Sequence, residues 1–66
     1  MRLTDAAFEG AVERYGDTVF RLAYSYLKNR ADAEDVYQDV FMRLLEHDTA
    51  FESDEHLKAW LLRVTI

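Results

Sequence analysis

Apolar residues recur along this chain at spacings of three and four, and strict alternation is absent. That period is helical throughout. Thr4 is placed to cap a first helix, with Asp5 in its first turn, and Ala7, Phe8, Ala11, Val12 and Tyr15 fall on one face of it. Gly16 then interrupts. A glycine costs about 1 kcal/mol in a helix interior, which predicts a kink or a break at that point. Asp17 caps the next segment, which has Val19, Phe20, Leu22, Ala23, Tyr26 and Leu27 on its apolar face and Arg21, Ser25 and Lys28 behind. The stretch "KNRAD" turns the chain, with Asn29 in a left-handed conformation and Asp32 as the next N-cap. A third helix is expected from about Ala33 to His47, with Ala33, Val36, Tyr37, Val40, Phe41 and Leu44 facing the core. After the loop "DTAFES", Ser53 caps a fourth helix that carries Asp54 and Glu55 at its start and reaches Ile66 in full apolar register. A helix that stops without a cap, a glycine or a polar turn is expected to continue in a longer natural chain. The expected fold is all-α, a small bundle of four helices with the first two joined by a kink at Gly16, forming one domain over residues 1–66.

Composition narrows the chemistry. A chain of 66 residues buries only about 60% of the surface its unfolded form exposes, so the core is thin. There is no cysteine, which excludes disulfides and thiolate metal sites. No apolar run has the length to span a bilayer and no signal peptide precedes the first polar turn, so a cytoplasmic location is expected. The net charge of −5 is unevenly placed: residues 31–48 hold six acids against Arg43 alone. A free-standing nucleic-acid binder carries a basic patch instead, so the partner of this segment is expected to be basic.

Those acids have an ordered arrangement. At about 100° per residue, Asp35, Gln38, Asp39, Met42 and Glu46 share one helix face, opposite Val40 and Leu44. A solvated helix back would explain the charges, and Asp39 with Arg43 makes a favourable i,i+4 pair. It does not explain Met42, an adaptable apolar residue inside an acidic rim, with Leu45 beside it. That pattern suits a helix-in-groove contact. The last helix carries two apolar stripes, Leu57/Trp60/Leu61/Val64 and Ala59/Leu62/Ile66. The first, Trp60 included, belongs to the core. The second is expected to meet either downstream chain or another copy, and so to drive self-association. His47 and His56 flank the loop, but nothing fixes a ligand geometry, and neither a metal nor any other cofactor is called for. The carboxylates define no cleft, and no enzymatic arrangement emerges.

The stretches "RYGDTVFRLAYSYLKNRADAEDVYQDVFMRLLEH" and "FESDEHLKAWLLRVTI" resemble region 2 of the bacterial sigma-70 family, most closely its extracytoplasmic-function group. The signal is the "DAEDVYQDVFMRL" helix combined with "AWLLRV" downstream, across a short loop that holds Phe51. The resemblance implies an all-helical domain whose acidic helix docks on the clamp helices of the RNA polymerase β′ subunit. The matching positions are Asp35, Gln38 and Asp39, with Met42, Arg43 and Glu46 further along. It also implies that the loop from Asp48 to Ser53 and the helix after it contribute to recognition and melting of the promoter −10 element. Phe51 and Ser53 are the matching loop residues, and Lys58 and Arg63 are the bases able to approach phosphates. An anti-sigma factor is a further partner implied. The family's helix normally continues with an asparagine and then polar, basic and aromatic residues, where this sequence ends at "RVTI". Weak binding to promoter DNA by these residues alone is therefore expected. The alternative is a small helical interaction or self-associating module with no role in transcription.

Overall fold

A computed structural model describes residues 4–47 and 50–66 of the chain. The first part of the "DTAFES" loop, Asp48 and Thr49, lies outside the described residues. Among the described residues there are three helices: α1 (Asp5–Leu27), α2 (Arg30–Leu45) and α3 (Asp54–Thr65), each packed against the other two. None is long and apolar enough to cross a membrane.

The expectation of four helices is corrected at Gly16, where α1 runs on without a break. Helix propensity treats this glycine as a defect, but packing gives it a use. It is buried, and a Cβ added to it would stand 3.0 Å from Tyr37 Oη and 3.4 Å from Tyr37 Cε2. The missing side chain lets the tyrosine of α2 lie against the α1 backbone, and tertiary contact overrides a propensity cost of about 1 kcal/mol.

Caps explain the other boundaries. Thr4 Oγ1 accepts from the Ala7 N–H at 3.1 Å, and Ser53 Oγ accepts from the His56 N–H at 3.0 Å, as the sequence predicts. The turn between α1 and α2 comes earlier in the chain than expected. Lys28, not Asn29, takes the left-handed conformation (φ 55°) and donates its N–H to the Tyr24 carbonyl at 2.8 Å. Asn29, not Asp32, is the N-cap of α2, its Oδ1 accepting from the Asp32 N–H at 3.0 Å. The helix therefore starts at Arg30 rather than Ala33, and it ends at Leu45 rather than His47. With Lys28 and Asn29 alone as the connection, α1 and α2 form a tight antiparallel hairpin.

Small side chains keep this hairpin close. Ala11, Val19 and Ala23 of α1 and Ala33 and Val40 of α2 are buried, and Phe41, Leu44, Leu57 and Leu61 complete the core. Phe41 packs edge-on to Phe8, with ring centroids 6.4 Å apart, and tilted to Tyr37 at 4.9 Å. Tyr26 and Leu27, expected in the core, are exposed, at 64% and 42%. They occupy the last turn of α1 beside the connection, past the layer that covers the middle of that face.

A polar clamp joins α1 to α3. Asp54 accepts from Arg14 Nη2 at 2.8 Å through Oδ1 and from the Tyr15 hydroxyl through Oδ2. The hydrogen bond from Tyr15, then the neighbouring Arg14 guanidinium, holds the Asp54 carboxyl below its ordinary value of 3.8. The same bond to a carboxylate raises the Tyr15 phenol above its ordinary 10.0. Arg14 and Asp54 are exposed and Tyr15 is only half-buried, which limits what the clamp adds to stability.

The packing at Gly16 and the clamp at Asp54 can each be tested. Gly16→Ala should gain about 0.5–1 kcal/mol in a Tyr37→Phe background, where helix propensity acts alone, and lose that gain when the hydroxyl is present. Urea unfolding of the four members of the cycle measures the coupling. For the clamp, a carboxyl whose pKa is lower in the folded state stabilises fully above its unfolded value and less as pH falls through the folded one. A phenol whose pKa is raised stabilises below its unfolded value and less as pH rises through the folded one. Thermal melts should therefore weaken below 3.8 and above 10.0, with Asp54→Asn flattening the acid limb and Tyr15→Phe the alkaline limb.

Candidate functional site

The exposed side of α2 is set by how the hairpin buries the other side. Ala33, Val40, Phe41 and Leu44 point inward, so the positions about half a turn away point outward. Asp35, Gln38, Asp39, Met42, Arg43 and Glu46 lie on that outward side, and all of them are exposed. At about 100° per residue, Asp35, Gln38, Met42 and Glu46 form one continuous arc, with Asp39 and then Arg43 at its edge. Met42 is 55% exposed and Leu45, next to it, is 41% exposed. Arg43 Nε lies 3.1 Å from Asp39 Oδ2, so the one base of the arc is engaged along its own helix. Arg30 is likewise paired with Glu34, at 3.3 Å. The acids Asp35 and Glu46 have no ion-pair partner among the described residues, and the arc stays negative around an apolar centre.

The apolar centre extends further than periodicity indicates. Phe8 and Val12 of α1, with Tyr37, Gln38, Phe41 and Met42 of α2, line an open groove of about 330 Å³. Sequence periodicity assigns Phe8, Val12 and Tyr37 to the core, and they do pack on it, but each is only half-buried. Leu45, the other apolar residue beside Met42, is not part of this lining.

The residues matched to DNA contact are not gathered on one face. Phe51 is half-buried in an aromatic cluster, stacked on His47 at 4.6 Å and edge-on to His56 at 5.2 Å and Trp60 at 5.6 Å. Ser53 is engaged as the α3 cap, and the backbone N–H of Glu52 donates to His56 Nδ1 at 3.2 Å. These contacts fix the end of the loop to the first turn of α3. Lys58 and Arg63 are exposed, but five residues apart they point about 140° away from each other around α3. Trp60 packs against the core while only half-buried. Of the second stripe on α3, Ala59 and Ile66 are exposed and Leu62 is half-buried. No group of His, Cys, Asp and Glu able to hold a metal exists among the described residues.

Comparison with known proteins agrees with this architecture. The chain matches the Sigma-70 region 2 family over residues 11–66. It is 33% identical over 58 residues to the ECF RNA polymerase sigma factor SigW of Bacillus subtilis (strain 168), covering 88% of this chain and 31% of that protein. It is 27% identical over 63 residues to the RNA polymerase sigma factor SigV of the same organism, covering 96% of this chain and 38% of that one. The chain thus spans about a third of the length of the curated relatives it matches. No solved structure matches it significantly. The match covers both the acidic helix and the loop with its following helix, and the chain belongs to the sigma-70 region 2 family, of the extracytoplasmic-function type.

Proposed function

We propose that this domain serves promoter-directed transcription initiation by docking α2 on the clamp helices of the RNA polymerase β′ subunit. The observation that carries this is the arc itself: an exposed methionine ringed by Asp35, Gln38, Asp39 and Glu46, on a helix whose opposite side is buried. Carboxylates steer a basic partner and fix its register, while burial of Met42 supplies the apolar part of the contact. The family resemblance supports the same positions. The domain acts by binding in the cytoplasm and catalyses no reaction.

Docking then sets the loop before α3, and α3 itself, at the −10 element. Phe51 and Ser53 hold the loop in shape through the aromatic cluster and the cap, and Lys58 and Arg63 supply local positive charge. In this mode the polymerase contact provides most of the binding energy, and bases of the opened strand are captured afterwards. An anti-sigma factor would regulate the domain by covering the same arc.

Reversing Asp39 to Arg, or changing Met42 to Ala, should weaken binding to a β′ clamp-helix polypeptide by roughly 1–3 kcal/mol in calorimetry. Unchanged affinity in both variants would remove the arc from the interface. A second expectation concerns DNA. Phosphate contacts dominate duplex affinity and need cations, whereas this chain carries a net charge of −5. Titration of labelled promoter duplex should therefore show weak, strongly salt-dependent binding; submicromolar affinity would contradict the assignment of the main surface to a protein partner.

A further inference from the structure

The groove between α1 and α2 shares Gln38 and Met42 with the acidic arc, so the two surfaces are continuous. Its lining is otherwise apolar: Phe8, Val12, Tyr37 and Phe41. Its borders are acidic on both helices. Counting about 100° per residue, Glu9 and Glu13 come next to Phe8 and Val12 around α1, and both are exposed. Across the groove stand Asp35, Asp39 and Glu46, with Arg43 already paired to Asp39.

We propose that this groove receives one large aliphatic or aromatic side chain from a basic helix, the same partner helix that docks along α2. This rests on the docking function proposed above and extends that interface from one helix to two. Packed helices run about 8–10 Å apart, so a helix laid along Asp35, Gln38 and Met42 passes within side-chain reach of the groove. Its cations meet acids on both sides, from Glu9 and Glu13 as well as from Asp35 and Glu46. Its apolar residue enters between Val12 and Met42, where water is excluded from both. Charge on the rim selects a basic helix over an acidic one, and the groove selects which of its apolar residues sets the register.

The test uses the chain with methyl-labelled valine and methionine, titrated with a polypeptide spanning the β′ clamp helices. The Val12 and Met42 methyl resonances should shift together. Val12→Trp, which fills the groove without adding charge, should weaken binding at least tenfold while helical circular dichroism is retained. Asp39→Arg should weaken it independently. If Asp39→Arg weakens binding while the Val12 methyls stay fixed and Val12→Trp binds like wild type, the groove assignment is overturned and α2 docking stands. If Val12→Trp fails to fold, the wild-type methyl shifts decide. Absence of any binding overturns both, and Val12 shifts that track the concentration of the domain alone would assign the groove to a second copy instead.

Discussion

The close approach of α1 and α2 beneath Tyr37 governs the rest of the molecule. Gly16 offers no Cβ, and Tyr37 lies over the space it leaves. Ala11 and Ala23 of α1 and Ala33 of α2 are buried as well, so the hairpin interior holds small side chains. With the helices held that near each other, the rotation of α2 is fixed. Val40, Phe41 and Leu44 must point inward, and Asp35, Gln38, Met42 and Glu46 must point outward. A wider crossing would have let α2 roll, and the acidic arc would have had no defined orientation.

The third helix is fastened in a different way. Leu57 and Leu61 give it an apolar base, and the Arg14–Tyr15–Asp54 clamp ties its first turn to the middle of α1. The loop before it is held by Phe51, which packs between His47, His56 and Trp60. Two surfaces held in different ways therefore occupy different parts of the molecule. One is a rigid, negative helix face, and the other is a loop-and-helix corner held by aromatic contacts. This division is consistent with the proposed function, in which the helix face docks on a protein and the corner meets nucleic acid.

Much of the candidate site was legible because it lies on one helix. A helical wheel needs only the sequence, so the co-facing of Asp35, Gln38, Met42 and Glu46 could be derived from their spacing. The groove was not legible, because its two walls come from α1 and α2 and exist only once the hairpin closes. The DNA-matched residues show the converse. Phe51, Ser53, Lys58 and Arg63 were grouped through family likeness, but the first two are engaged in holding the loop and the last two diverge around α3. Family position gives such residues a role without giving them a common direction.

The sequence by itself determined the all-helical class, the caps at Thr4 and Ser53, most of the core positions of α2 and the acidic arc. Each depends on local hydrogen bonds or on the 3.6-residue period, which are properties of short segments. Tertiary structure decided whether Gly16 was a break or a contact, which of Asn29 and Asp32 capped α2, and where Tyr26 and Leu27 came to lie. Propensity weighs a glycine at about 1 kcal/mol against the helix, but it has no knowledge of Tyr37, which is distant in sequence and adjacent in space. The cap went to Asn29 when Lys28 took the left-handed position and closed α1 one residue early, and that choice completed the short connection of the hairpin.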